Sequence, residues 1–256
     1  YDITTWDLKH LKKEIHLHLQ NSISNPEALK AIPLKDYITI LQGQVNTLKY
    51  RPTLYDFLVN NAIRFYSGRA LYYQTLYNDL DKEKYNTLPE TFTKINIEIK
   101  DSISPLYAIK LHQNLERFHL KQKNYYPLFD ALINRLKLKN NLKHRIYNQR
   151  HDVNSNIRQV LKKAITKYST EEASSHLSFY LAFNNFNETQ YQYFNSLKIK
   201  EDTEDLRVNA YSICNTSIKK FPNSEGAVKC KNIIKRLDSK FISFQTNPIV
   251  SAEKPT

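Results

Sequence analysis

Three glycines and no methionine in 256 residues are the sharpest shortages of this sequence. Phosphate-cradling loops, dinucleotide fingerprints and sheet-rich folds with many tight turns need residues that tolerate positive φ or close backbone approach. Gly43, Gly68 and Gly226 stand far apart, so no G-x-G-x-x-G or Walker-type loop can be assembled. Helices joined by Asn-, Ser- and Pro-containing turns are favoured instead. No apolar run approaches the roughly 20 residues needed to cross a bilayer. A chain that starts at Tyr1 without any methionine is expected to be a processed product or a fragment of something longer. A missing export signal therefore carries no information about compartment.

Chemistry-bearing patterns are equally sparse. Metal ligation on a helix favours His at i and i+4, whereas the pairs His16/His18, His112/His119 and His144/His151 are spaced two or seven residues apart. Seven residues share a helix face but lie two turns apart, about 10 Å, too far for one metal. Ordinary surface or interface histidines are expected, and no metal site. Glu171, Glu172, Asp202, Glu204 and Asp205 fall near expected helix starts, where carboxylates complement the macrodipole. Nothing assembles a catalytic constellation or a cofactor motif, so a non-enzyme is expected. Tyr72-Tyr73, Tyr125-Tyr126, Tyr191 and Tyr193 suit amphipathic anchors at a protein interface, although core and rim packing explains most of them.

The net charge of +13 and pI near 9.5 invite a phosphate-bearing partner. The lysines argue otherwise, because they are dispersed along helix faces as pairs such as Lys12-Lys13, Lys162-Lys163 and Lys219-Lys220. A solvated basic surface is the expectation, and no nucleic-acid partner.

What the sequence does contain is helical punctuation. The opening helix is expected from near Thr4, with Asp7 completing a capping-box-like arrangement, Trp6 as a staple and Leu8, Leu11, Ile15 and Leu19 inward. Asn25-Pro26 starts a second, short helix that Pro33 ends. Pro52 suits a first helical position, and Leu54, Phe57, Leu58, Ala62 and Phe65 then form a buried stripe. From Arg69 to Ser104 the pattern loosens into an irregular insertion in which Phe92 to Ile99 alternates like an extended segment. Ser104-Pro105 opens a helix with Ala108, Leu111, Leu115 and Phe118 on one face. Its partner spans about 125–139 through Leu128, Leu132, Ile133 and Leu136.

Two further hairpins are expected. Ile157, Val160, Leu161, Ala164, Ile165 and Tyr168 face Ala173, Leu177, Tyr180 and Leu181. Leu206, Ala210, Ile213, Cys214 and Ser217 face Ala227, Cys230, Ile234 and Leu237 across the Phe221-Pro222 turn. Leu161 to Tyr168 aligns with Cys214 to Phe221 at an offset of 214 − 161 = 53 residues, a weak internal repeat. Small residues at fixed places and an aromatic before the turn are what tetratricopeptide-like (TPR-like) solenoids use, at a usual period of about 34. The fold expected is all-α, TPR-like hairpins in an irregular α-solenoid or bundle. Phe241 to Thr246 reads as a short strand entering a linker. The divisions are 1–103, helical with the insertion; 104–238, the hairpins; and 239–256, the linker.

Three segments, Thr4-Thr5-Trp6-Asp7-Leu8, Tyr50-Arg51-Pro52-Thr53-Leu54-Tyr55-Asp56-Phe57-Leu58 and Phe221-Pro222-Asn223-Ser224-Glu225-Gly226-Ala227-Val228-Lys229-Cys230, resemble in order and separation the N-terminal helical region of large exported bacterial α2-macroglobulin-like proteins. Ser104 to Leu111 and Leu115 to Leu120 extend the resemblance. It is weakest from Gly68 to Ser102. It implies a scaffold or docking region in a parent that inhibits endopeptidases by entrapment, located in the periplasm, outer membrane or cell surface. Partners implied are downstream macroglobulin-like β-domains, envelope proteins or a target protease. The reactive thioester of many such proteins needs Gln three residues after Cys; Cys214 is followed there by Ser217 and Cys230 by Ile233, so neither is that site. The alternative is a free-standing helical adaptor of an envelope or secretion complex.

Cys214 and Cys230 each lie eight residues from Pro222, which puts them at one height in an antiparallel hairpin. They are a candidate disulfide, worth roughly 3 kcal/mol on the chain-entropy model. Two buried free thiols packing as small hydrophobes weigh about equally, and the export implied by the resemblance tips slightly toward the bridge.

Overall fold

A computed structural model describes residues 5–41, 47–68, 83–99, 104–147, 151–194 and 201–239. Among these residues eleven α-helices and no strand occur, so the fold is all-α. The helices are α1 (Leu8–Ser22), α2 (Pro26–Ala31), α3 (Thr47–Tyr50), α4 (Leu54–Tyr66), α5 (Pro89–Phe92), α6 (Pro105–Gln122), α7 (Tyr125–Tyr147), α8 (His151–Lys167), α9 (Ser174–Phe194), α10 (Glu201–Lys220) and α11 (Glu225–Asp238). The strand expected at Phe241 to Thr246 lies outside the described residues.

Several boundaries differ from expectation for identifiable reasons. Helix α1 is capped by Asp7, whose side chain accepts from the His10 N–H at 2.6 Å. Only the second half of its expected inward face is covered: Leu8 is 61% and Leu11 37% exposed, whereas Ile15 and Leu19 are partly buried, and α1 packs chiefly on α4. Helix α4 begins at Leu54, after Pro52, because Thr53 and Asp56 form a capping box: Thr53 Oγ1 accepts the Asp56 N–H at 3.3 Å and the Asp56 carboxylate accepts the Thr53 N–H at 3.0 Å. Two otherwise unpaired donors are satisfied this way. The buried stripe is Tyr55, Val59, Ala62, Ile63 and Tyr66, one step round from the stripe expected; Leu54, Phe57, Leu58 and Phe65 are only partly covered.

Three apolar clusters follow one another along the chain. The first joins α4, Tyr85, Phe92 and Ile97 to α6, with Leu19, Ile23 and Leu29 at its margin. The second joins α7, α8 and the first half of α9. The third joins the rest of α9 to α10 and α11. Helix α9 thus belongs to two cores and packs on α7, α8, α10 and α11.

The internal repeat is matched in burial at its inner positions but not at its closing aromatic, since Tyr168 is buried and Phe221 only partly so. At the same offset, Leu161, Ala164, Ala173, Leu177 and Tyr180 correspond to Cys214, Ser217, Gly226, Cys230 and Ile233, and all ten are buried. The second hairpin replaces bulk by small residues, and its last helix seats closely on α9. A Cβ built on Gly226 would lie 2.3 Å from the carbonyl carbon and oxygen of Ser175. Gly226 therefore serves close approach of α11 to α9, not a turn conformation, since no glycine among the described residues has positive φ.

Candidate interaction surface

Most polar chemistry in the fold is directed inward. On α6, His112, Gln113, Glu116 and His119 are all buried. The surface or interface role expected for His112 and His119 is therefore wrong: both are buried on the inner side of α6. His119 Nε2 lies 2.6 Å from Asp56 Oδ1, which fastens α6 to the capping box of α4. Glu116 meets Arg135 of α7 through two contacts, Nε to Oε1 at 2.6 Å and Nη2 to Oε2 at 3.2 Å. Arg135 also donates to the Tyr85 carbonyl and, at 2.9 Å, to the Thr87 carbonyl, and its guanidinium lies 3.8 Å from the Phe92 ring centroid. Gln113 donates to the carbonyls of Phe92 and Ile95 at 2.9 and 2.7 Å, and Arg117 to that of Thr93 at 2.7 Å. A segment with little regular structure thus has its backbone acceptors satisfied by side chains.

His112 is different, because neither ring nitrogen has a hydrogen-bond partner. Burial, assisted by the Arg135 charge, pushes it down to about 3. Burial likewise takes His176 down to about 4, with the Lys229 charge adding to it. Above their ordinary value near 6.5 both are neutral folded or unfolded. Below it the unfolded chain takes up protons that the folded chain refuses, so stability is lost as pH falls from 6.5 toward 4 and 3. The slope is about 1.4 kcal/mol per pH unit per histidine. Urea titrations at pH 7 and 5 are expected to show a loss of about 4 kcal/mol for the pair, and His112→Leu should remove about half of it.

A second set of contacts ties distant parts of the chain together through tyrosine and glutamate. The Tyr50 hydroxyl donates to Glu225 Oε2 at 2.8 Å, the Tyr126 hydroxyl to Glu172, and the Tyr168 hydroxyl to Glu90. Burial first, and then the carboxylate partner, pushes each of these phenols up. Glu172 sits shortly before α9, near a helix start as expected, and Glu225 lies in the first turn of α11, but both are tethers as well. Lys49 stands over the Tyr126 ring at 3.7 Å and Tyr50 packs 4.9 Å from His176. Sequence reasoning missed this arrangement, since the partners are up to 175 residues apart.

The remaining candidates do not converge. His16 Nδ1 lies 2.7 Å from the Tyr66 hydroxyl and His18 is exposed. Tyr72 and Tyr73 lie outside the described residues, as do the side chains of His144, His151, Tyr191, Tyr193, Asp202, Glu204 and Asp205. Among the described residues no three His, Cys, Asp or Glu side chains group as metal ligands, and no helix is long and apolar enough to cross a membrane. Cys214 and Cys230 face each other across α10 and α11 as buried free thiols.

An open groove of about 720 Å³ lies between α2, α4 and α6. Tyr55 and Phe118 meet edge to face in its wall, centroids 6.0 Å apart. The Lys30 ammonium lies 5.2 and 5.1 Å from those two rings and 2.7 Å from Glu27. Arg117 and Lys121 complete a rim with three cations and one carboxylate. No protein-family model, no curated protein and no solved structure matches the chain.

Proposed function

We propose that the chain is a non-catalytic helical scaffold that docks an acidic peptide segment of a partner protein in the groove between α2, α4 and α6. The observation that carries this reading is the groove itself, where Lys30, Arg117 and Lys121 outnumber Glu27 around the Tyr55 and Phe118 rings. An acidic segment with one apolar side chain complements both the rim charge and the aromatic wall. The volume lies within the range of ligand clefts. The buried ion pair and the tyrosine tethers favour a structural over a catalytic role, because each joins helices to each other.

The wider setting in this proposal is an exported α2-macroglobulin-like parent that inhibits endopeptidases by entrapment at the periplasm or cell surface. Its support is the resemblance of Thr4 to Leu8, Tyr50 to Leu58 and Phe221 to Cys230. The coding sequence beyond Thr256 separates this setting from a free-standing adaptor: successive β-sandwich modules support the former, an immediate stop the latter.

The docking site is tested with fluorescein-labelled peptides of equal length, Glu/Asp-rich or Lys-rich, each with a central Phe, and with duplex DNA of matched charge. The acidic peptide is expected to bind, weaken as salt rises, and lose about tenfold in affinity on Lys121→Glu. Equal binding of both peptides, preference for DNA, or indifference to Lys121→Glu would remove the proposal.

A further inference from the structure

Cys214 and Cys230 lie across a single seam between α10 and α11, both with no exposure to solvent. Their thiols share a hydrogen bond, which draws Cys230 down and, with burial, pushes Cys214 up. The cluster around them is otherwise Ala182 and Phe186 of α9, Ala210 of α10, and Ile233 and Leu237 of α11, so packing alone does not call for sulphur. In the preceding hairpin the positions of the two cysteines hold Leu161 and Leu177, both buried in the second apolar cluster. The repeat thus places both positions in a buried core, and the last hairpin fills both with thiols.

We infer that Cys214 and Cys230 are a disulfide-forming pair, free in the structure described here, that closes when the chain meets a small-molecule or protein disulfide donor and locks α10 to α11. The Cys230 thiolate attacks one sulphur of the donor and expels a thiolate, giving a mixed disulfide. The Cys214 thiolate then attacks the Cys230 sulphur and expels the second donor thiolate. Two thiol protons are lost, two electrons pass to the donor, and the donor ends as two thiols. Burial makes this slow in the folded state, so the bridge forms during folding or upon opening of the last hairpin.

The chain is refolded from urea in glutathione buffers running from fully reducing to as oxidising as the secretory lumen, then alkylated and mass-analysed. The expected product in the oxidising buffers is monomeric, lighter by two hydrogens, with one peptide pair linking Cys214 to Cys230. Its Tm should exceed that of the reduced chain by roughly 5–10 °C. A Cys214→Ser, Cys230→Ser chain, if folded, should show no redox-dependent Tm; if it fails to fold, Cys214→Val, Cys230→Ala serves as the same control. Recovery of two free thiols across the whole series, glutathione trapped on either cysteine as the main product, or a bridged chain no more stable than the reduced one would each overturn the inference.

Discussion

Replacing Gly226 by alanine is expected to destabilise the fold by about 3 kcal/mol, at the upper end of what overpacking costs, and to lower Tm by about 6–12 °C. Helix propensity alone makes the opposite forecast, because Ala is favoured over Gly inside a helix by about 1 kcal/mol. The difference in sign makes the experiment decisive. The added Cβ would sit 2.3 Å from the Ser175 backbone, an obstacle no rotamer change can relieve. Helix α11 must then move off α9, and the loss falls on the third apolar cluster, where Cys230, Ile233 and Leu237 are buried. Differential scanning calorimetry of Gly226→Ala would settle the point; a Tm equal to or above the parent's would mean that α11 and α9 are not in backbone contact there.

An effect of at least equal size is expected from Arg135→Ala, about 3–5 kcal/mol, because it strands Glu116 as an uncompensated buried charge. Glu116 is fully buried, and burial already pushes its carboxyl up against the opposing pull of Arg135. The same substitution strips the donor from the carbonyls of Tyr85 and Thr87. Two readouts follow. Urea unfolding should shift to lower concentration, and limited proteolysis should cut within residues 83–99 faster than in the parent. Glu116→Leu with Arg135→Met should recover much of the urea midpoint, since an apolar pair avoids the desolvation of two ions. It should not restore protease resistance, because the two carbonyls still lack their donor. Recovery of both would mean that the Arg135 hydrogen bonds to Tyr85 and Thr87 do not hold the segment.

The helical hairpins were legible because their signal is local. Leu161, Ala164, Ala173, Leu177, Ala210 and Ala227 recur at helical spacing on either side of short turns, and all are buried. The same local logic went wrong at α4, where apolar and aromatic residues occupy two adjacent stripes and Tyr55 and Tyr66 were not taken as core. Periodicity gives a face only when its opposite is polar. The polar stripe of α6 was illegible for another reason: Gln113 and Glu116 are satisfied by backbone and by an arginine 18 to 21 residues away, and nothing near them in sequence announces those partners. The groove was also out of reach, since it exists only once α2, α4 and α6 are brought together. The cysteine pair was visible from symmetry about Pro222, yet symmetry could not choose between thiol and bridge.

The hydrogen bond from Tyr50 to Glu225 has a consequence for how the molecule comes apart. In an array where each unit touches only its neighbours, material can be trimmed from one end while the other survives. Here a residue from the first quarter of the chain holds the first turn of the last helix. This closure links α3 to α11, so removal of α1 to α3 should loosen α11 before it loosens α8.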